Sequence, residues 1–338
     1  MSLTCGIDLH SNNSLTAVLD EQDGVVYQRR LSNDLGLILA ELAPFTEQLT
    51  GIAVESTFNW YWLVDGLMDA GYRVHLAHTT AVRKYDGLKF ADDRSDARLL
   101  AHLLRLGLLP EGYIYPREER ALRDLLRRRG RTVQQRTANL LSLQNLVHRN
   151  TGQRLGGPAL RTVELAELDS QHPDTNRILA MESTRRVLEC LDDEVKRLEQ
   201  EVLRQIKPDP LLKLLKTVAG VGNILGPTIR LETGEINRFP TAGKYVSYCR
   251  CVGSQYLSNG KIKGKGNRKN GNPYLAWAYI EAAHFAIRYH DPVRKFYERK
   301  KARTHRVVAL KAVAHKLARA SYYVMREQVP FKIDLAFG

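Results

Sequence analysis

Carboxylates occur at three places in the first hundred residues where their chemistry needs an explanation. Asp8 lies in the apolar run GIDL, Glu55 ends the apolar run GIAVE, and Asp92, Asp93 and Asp96 open the leucine-rich stretch DDRSDARLL. Asp93 and Asp96 are three residues apart, so they share one face of a helix. Four carboxylates at one point would repel each other unless divalent cations lay among them, and such oxygen ligands suit Mg²⁺ or Mn²⁺. Paired ions of this kind support phosphoryl transfer.

Each of these carboxylates also has an ordinary structural explanation. Asp8 can bond to the turn that follows it, Glu55 can cap the next helix, and the three aspartates can complement the N–H groups of a first helical turn. Taken together, however, a strand Asp, a strand-end Glu and a helical Asp-x-x-Asp on a three-strand meander are what a ribonuclease-H-like nuclease domain requires. This order favours the metal-binding interpretation.

A candidate nucleophile lies much further along the chain, in YLSNGKIKGKGNRKNGNPY. Ser258 stands there two residues after Tyr256 and among positive charges. A serine hydroxyl attacks only when its proton is removed or the developing charge is stabilised, which nearby cations can do; a plain turn residue is the alternative. Glycine and asparagine alternate with cations here and predict a flexible cationic loop. Its cations are Lys261, Lys263, Lys265, Arg268 and Lys269.

Composition and charge indicate the class of partner. The 338 residues exceed what one core usually serves, so two or three domains are expected. Lys and Arg outnumber Asp and Glu by 51 to 37, and the net charge of +14 favours a polyanion such as nucleic acid.

The four cysteines form no C-x-x-C pair, which argues against a zinc site or a disulfide framework. Without a signal-peptide pattern or a membrane-length apolar run, the protein is predicted to be soluble and cytoplasmic.

The elements that must position the carboxylates follow from hydrophobic patterning. Three strands are predicted first, LTCGIDLH, SLTAVLDEQDG and GVVYQRRLS, with Asp23-Gly24 as the hairpin turn between the last two. Two strand-helix units follow, in which one helix is capped by Asn33 or Asp34 and the other is closed by Gly71. The pattern predicts an α/β sheet with mixed pairing.

After Pro110 the pattern becomes helical and strongly basic. A long helix over residues 118–150 carries Arg127, Arg128 and Arg131, which are either nucleic-acid contacts or a solvated face. A second helix over residues 176–206 has a heptad-like apolar seam, which indicates either oligomerisation or an intramolecular helical hairpin.

A glycine-bearing turn, AGVGN, joins two further helical patterns after residue 208. It predicts a helix-hairpin-helix, in which Gly220 and Gly222 let backbone N–H groups approach a phosphate. An ordinary helix-helix turn is the alternative. The positive charge around the turn favours phosphate binding.

Six segments in order, GIDLHSNNS, AVEST, DDRSDARLLAHLLR, VAGVGNILGPTI, YLSNGK and KNGNPYLAWAYIEAAHFAIRY, together resemble the insertion-sequence-110 family of transposases, the bridge-RNA-guided recombinases. The resemblance spans nearly the whole chain. It implies an α/β plus α architecture: a RuvC-like, ribonuclease-H-fold domain with a mixed sheet over residues 1–110, a helical coiled-coil region over 111–207, and a mainly helical transposase domain with the helix-hairpin-helix over 208–338.

The resemblance also implies roles for individual residues. The family's Mg²⁺-binding (or Mn²⁺-binding) catalytic carboxylates fall on Asp8, Glu55, Asp93 and Asp96. The match to D-x-x-D-A-R leaves Asp92 outside this set. The family's nucleophilic serine falls on Ser258, although Asn259 separates it here from the glycine that usually follows, and Ser254 is the reserve candidate.

The implied mechanism joins the two sites. Carboxylate-held Mg²⁺ lies on the scissile phosphate while the serine attacks it and forms a phosphoserine link. The implied partners are donor and target double-stranded DNA, a structured noncoding bridge RNA and further copies of the chain in dimers or tetramers. Three alternatives use fewer of these features: a Holliday-junction-type nuclease that needs only the carboxylates, an actin-like ATPase, and a noncatalytic RNA-binding protein. The ATPase fold requires a later glycine-rich nucleotide loop, which the sequence lacks.

Overall fold

The computed structural model describes residues 2–78, 81–82, 93–165, 174–253, 256–264 and 270–338. The chain divides into two compact units, residues 1–117 and 118–338. The predicted further division at residue 207 stays a prediction. None of the helices in the described ranges has an apolar stretch long enough to cross a membrane.

The first unit is built on a five-stranded mixed sheet. Its strands are β1 Leu3–Leu9, β2 Asn13–Leu19, β3 Val25–Ser32, β4 Leu49–Glu55 and β5 Val74–Ala77. The spatial order is β3-β2-β1-β4-β5; β1, β2 and β3 pair antiparallel, whereas β1, β4 and β5 pair parallel. The predicted mixed pairing is confirmed, and a meander followed by parallel strands fits a ribonuclease-H-like domain.

Two helices cover one face of this sheet. They are α1 Leu35–Leu42 and α2 Tyr61–Asp69, and they pack on alternate strand residues such as Ile7 and Ile52. Asp34 is the cap of α1, because its carboxylate accepts a hydrogen bond from the Leu37 N–H at 3.0 Å.

A third helix, α3 Asp93–Arg105, packs against the opposite face at very short range. A Cβ atom on Gly6 would lie 2.1 Å from the Ala97 carbonyl oxygen and 2.7 Å from the Ala101 nitrogen. Only glycine therefore permits this approach of helix and strand.

The other end of α3 is tied to the β2–β3 hairpin. Asp23 occupies the turn at φ 64° and accepts hydrogen bonds from the Arg105 guanidinium and the His102 ring, each with a contact of 2.9 Å. The predicted hairpin between β2 and β3 is confirmed, although its tight turn is centred on Glu21 and Gln22, directly before Asp23-Gly24. Because this turn adjoins the N-terminal end of β1, α3 runs antiparallel to β1 and begins near the C-terminal end of that strand.

The second unit is mainly helical. Its helices are α4 Arg117–Thr151, which starts at the last residue of the first unit, α5 Gly157–Thr162, α6 Thr175–Ile206, α7 Pro210–Leu215, α8 Leu225–Thr233, α9 Ala242–Tyr248, α10 Pro273–Tyr289, α11 Asp291–Lys301, α12 Arg306–Glu327 and α13 Ile333–Phe337. Two short strands, β6 Tyr256–Ser258 and β7 Lys261–Gly264, form a separate hairpin.

The long helices α4 and α6 pack against each other within the chain. Leu143 and Val147 of α4 share one buried cluster with Met181 and Leu188 of α6. Ion pairs such as that between Arg136 and Asp192, at 3.4 Å, flank the contact. The buried residues of the predicted apolar seam therefore form an intramolecular helical hairpin.

Candidate catalytic and nucleic-acid-binding sites

Asp8 and Glu55 lie at the same edge of the sheet. The strands β1 and β4 are parallel, with Ile7 beside Val54, and the next residue on each strand is the predicted carboxylate. Side chains alternate along a strand, so Asp8 shares the face of Gly6, which is the face covered by α3. The strand register thus brings two of the four predicted carboxylates to one edge.

The carboxylate of Asp8 is buried and incompletely bonded. The residue is 3% exposed, and within the described chain its Oδ2 atom has no hydrogen-bond partner. The ring of His10 lies close by, with its Nε2 atom 3.4 Å from that oxygen. A buried carboxylate oxygen without a hydrogen bond is costly, and a bound cation would remove the cost. The donor chemistry therefore fits a divalent metal ion.

His10 is a neighbour that the sequence analysis did not single out. Its carbonyl oxygen accepts hydrogen bonds from the side-chain amides of Asn33 and Asn59, each at 3.0 Å, which fixes the backbone directly after β1. The signal in the sequence was its position two residues after Asp8 at a strand end.

The first turn of α3 lies at this same edge. Ala97 packs against Leu15, the residue of β2 that pairs with Asp8. Asp96 precedes Ala97 and is half-buried. Asp92 and the side chain of Asp93 lie outside the described residues. Among the side chains that are described, no three His, Cys, Asp or Glu residues lie close enough together to hold a metal ion.

Ser258 lies on a β-hairpin, so the predicted loop is wrong for residues 258–264. Asn259 and Gly260 form a two-residue turn with φ values of 50° and 71°, and Ser258 pairs with Lys261 across it. Asn-Gly is the strongest short hairpin signal in a sequence. The many lysines and glycines around it favoured the prediction of a loop instead. The turn also accounts for the asparagine between the serine and Gly260. Ser254, Lys265, Arg268 and Lys269 lie outside the described residues.

The hairpin places a lysine beside the serine. Directly opposite residues of an antiparallel pair point to the same face with Cβ atoms about 4.5–5.5 Å apart. Ser258, Lys261 and Lys263 are all exposed. An ammonium group beside an exposed hydroxyl would stabilise negative charge that develops on an attacked phosphate.

The three predicted arginines of α4 differ in their surroundings. Arg127 donates two hydrogen bonds, of 2.6 and 2.7 Å, to the carboxylate of Glu232, and its guanidinium lies 4.5 Å from the centre of the Tyr274 ring. Burial lowers the pKa of Arg127, but the hydrogen bond and the charge of Glu232 outweigh it and raise the pKa above its usual range. Arg127 therefore has a structural role, whereas Arg128 and Arg131 are exposed.

The two glycines of the predicted helix-hairpin-helix also differ. Gly220 has φ 78°, and a Cβ on it would lie 2.1 Å from the Ala282 carbonyl oxygen, so it serves the packing of the turn on α10. Around Gly222 a Cβ would meet no described atom within 4 Å. The two flanking helices are confirmed as α7 and α8, and a hollow of about 470 Å³ lies beside the turn.

Comparison with known proteins finds two matching family models and a curated relative. A family model described as "Transposase IS116/IS110/IS902 family" matches residues 212–298, and a transposase model named DEDD_Tnp_IS110 matches residues 5–150. A curated relative from Pseudomonas aeruginosa, a "Probable family 20 transposase", is 24% identical over 297 residues, which cover 84% of this chain and 83% of the relative.

These matches define a transposase, an enzyme class that cuts and recombines DNA. The two family models together span more than half of the chain, one over the predicted carboxylates and the other over Ser258. The chain belongs to the IS110 family of transposases.

Proposed function

We propose that this transposase exchanges strands between donor and target DNA through a covalent phosphoserine intermediate. The proposed metal ligands are Asp8, Glu55, Asp93 and Asp96, and the proposed nucleophile is Ser258. The observation that carries the proposal is the buried, incompletely bonded carboxylate of Asp8 at the edge where β1, β4 and the first turn of α3 meet. Such an oxygen is suited to a cation, and no described residue donates a hydrogen bond to it.

The carboxylates act by binding and orienting. Bound Mg²⁺ or Mn²⁺ would supply charge neutralisation at the scissile phosphate. Asp8 and Glu55 come from adjacent rigid strands, which keeps their separation constant. The close contact of Gly6 with α3 holds the helix bearing Asp93 and Asp96 against the same face.

The serine step conserves the energy of the phosphodiester bond. A bond forms between the Ser258 Oγ atom and phosphorus, the bond from phosphorus to a deoxyribose oxygen breaks, and the serine proton is lost while the deoxyribose oxygen gains one. A deoxyribose hydroxyl of the second duplex then attacks the phosphoserine and releases the serine. Lys261, which pairs with Ser258 across the hairpin, stabilises the charge on the phosphate in both steps.

In this mechanism a noncoding bridge RNA selects the DNA sequences by pairing with donor and target DNA. The protein then contacts mainly backbone phosphates, in keeping with its net charge of +14. Suitable groups are the exposed Arg128 and Arg131, the open turn at Gly222 and the lysines of the hairpin. We propose that the active form is a dimer or tetramer, since two duplexes must be held together.

The test uses the purified protein with its co-transcribed RNA, donor and target DNA and Mg²⁺. We expect a covalent protein-DNA complex on a denaturing gel, and we expect Ser258→Ala to abolish it because the proposed link forms through the Ser258 hydroxyl. Ser254→Ala is the matched control and should retain the complex. DNA cleavage without an adduct, undiminished in Ser258→Ala, would instead establish a hydrolytic nuclease that uses only the carboxylates.

A further inference from the structure

A groove of about 680 Å³ lies in the second unit, bordered by α4, by one face of α8 and by the beginning of α10. Its volume falls within the range of about 300–1,000 Å³ that is usual for ligand sites. Cations line one side and aromatic rings the other. An ordinary solvated helix face does not face aromatic rings across a groove. The combination therefore indicates a ligand that has both a charge and a flat apolar surface.

The buried side of the groove is held by a network of hydrogen bonds. Glu232 is 1% exposed and accepts hydrogen bonds from Arg127 and, at 2.7 Å, from the side-chain amide of Asn272. Asn272 in turn caps α10 by accepting from the Tyr274 N–H at 2.8 Å. The ring of Tyr274 packs on Arg127, so the first turn of α10 is held in place.

An indole ring also lines the groove. Trp277 lies one turn beyond Tyr274 on α10, and the two residues line the groove together. Trp277 is 44% exposed and Tyr274 is 39% exposed. Large aromatic surfaces left in contact with water at a concave site are typical of stacking platforms for nucleic-acid bases.

A glycine inside α4 supports a close approach by a ligand. Gly130 lines the groove, and a Cβ placed on it would meet no described atom within 4 Å. Glycine within a helix carries a cost in stability relative to alanine. Packing among the described residues does not account for that cost, whereas a ligand that lies against the helix backbone does.

The charge of the groove selects a polyanion. Arg128 and Arg131 are exposed, and neither forms an ion pair with any described carboxylate. The acidic lining residues are Glu232, which is bonded to Arg127, and Asp124, which lies 3.9 Å from the Arg123 guanidinium. The two guanidinium groups, which have no described carboxylate partner, suit a phosphate, and the exposed indole suits a base. A nucleotide has both parts.

We propose that this groove binds an unpaired nucleotide of a single-stranded DNA or RNA segment. The base stacks on Trp277, the backbone passes close to Gly130, and Arg128 and Arg131 contact the phosphates. The proposal rests on the proposed function only in taking nucleic acid as the ligand. A base inside a duplex is already stacked on both faces, so the platform favours single strands.

The experiment measures binding of oligothymidylate, oligouridylate and an abasic oligonucleotide of equal length, without metal ions. Because each stacked base contributes to the affinity, Trp277→Ala should weaken binding of the base-containing strands about 5- to 150-fold. The same variant should bind the abasic strand like wild type. Trp277→Phe should retain most of the affinity while losing the fluorescence quenching that bound bases cause. The tighter of the two base-containing strands identifies the natural source of the nucleotide as DNA or RNA.

Matched variants separate stacking from other effects. Tyr323→Ala removes an exposed ring of α12 outside this groove and should leave binding unchanged. Gly130→Ala should raise the thermal stability yet weaken binding. If Trp277→Ala weakened binding of the abasic strand equally, or left all binding intact, the proposal would be overturned. Because the assay involves no cleavage and no metal, a failed strand-transfer test with intact stacking would count only against the proposed function.

Discussion

At Asp8, burial conflicts with charge. A carboxylate in the interior of a strand is normally satisfied by hydrogen bonds, yet Oδ2 of Asp8 has none within the described chain. Such a residue reduces stability while it serves a function. Glu232 provides the contrast, because its equally buried carboxylate is bonded by Arg127 and Asn272.

Replacing Asp8 by asparagine separates these two effects. The Asp8→Asn variant should lose strand transfer, while its melting temperature should stay the same or rise by a few degrees because a buried charge is removed. Mg²⁺ should raise the melting temperature of the wild-type protein and leave that of the variant unchanged, because ligands stabilise only a state that binds them.

Asp20→Asn is the control for Asp8→Asn. The Asp20 carboxylate accepts 2.8 Å hydrogen bonds from Gln22 and Gly24 in an exposed turn, so this variant should keep the response to Mg²⁺. A strongly destabilised Asp8→Asn that still responded to Mg²⁺ would show that Asp8 has a structural role.

At the scale of elements, the orientation of α3 decides whether the carboxylates meet. Gly6 sets how closely the helix approaches β1, and Asp23 anchors the far end of the helix through Arg105 and His102. Neither Gly6 nor Asp23 is a predicted metal ligand. The geometry of the site therefore depends on residues that take no part in the chemistry.

The anchor at Asp23 should make stability depend on pH. Hydrogen bonds from Arg105 and then from His102 hold the pKa of Asp23 below its usual range. A lowered pKa in the folded state stabilises the protein above the unfolded value of about 3.9, and this contribution is lost as the pH falls through the folded value. Asp23→Asn, which tolerates the positive φ of the turn, should therefore lower the free energy of unfolding at neutral pH.

The measurement is urea unfolding of wild type and Asp23→Asn at pH 7 and at about pH 3, where the difference should shrink. Glu47→Gln, which alters an exposed carboxylate, should have little effect at either pH. An equal deficit of Asp23→Asn at both pH values would show that the charge of Asp23 does not carry the contact.

At the scale of the whole molecule, the heptad-like seam of α6 packs against α4 of the same chain. Leu188 is fully buried against α4 of the same chain, whereas Leu179 on the same helix is 60% exposed. Leu188→Ala should lower the free energy of unfolding by about 2–5 kcal/mol, the usual cost of a core cavity. Urea unfolding should give the same loss at low and high protein concentration, because the contact lies within one chain.

Leu179→Ala is the matched control and should cost well under about 1 kcal/mol. A loss for Leu188→Ala that vanished on dilution would point to a seam shared between chains. An equal loss of unfolding free energy for Leu188→Ala and Leu179→Ala would also point to a seam shared between chains.

Much of this protein could be predicted from local patterns. The strands β1 to β5, the Asp23 turn and the long basic helix follow from short-range periodicity and turn chemistry, which act between residues close in sequence. Local patterns did not identify the β6–β7 hairpin, although Asn259-Gly260 marked it. They also left Asn33 and Asp34 equivalent as helix caps, because both residue types cap helices well.

The sequence by itself determined the residue types for the chemistry, their order along the chain and the resemblance that they carry. Only the tertiary structure decided which residues of one helix face inward: Arg127 is bonded to Glu232, while its neighbour Arg128 is exposed. It also decided that Asp8, Glu55 and the start of α3 share one edge, and that Trp277 borders a groove. The physical reason is that these relations depend on contacts between residues far apart in sequence, which burial and strand register establish only when the chain folds.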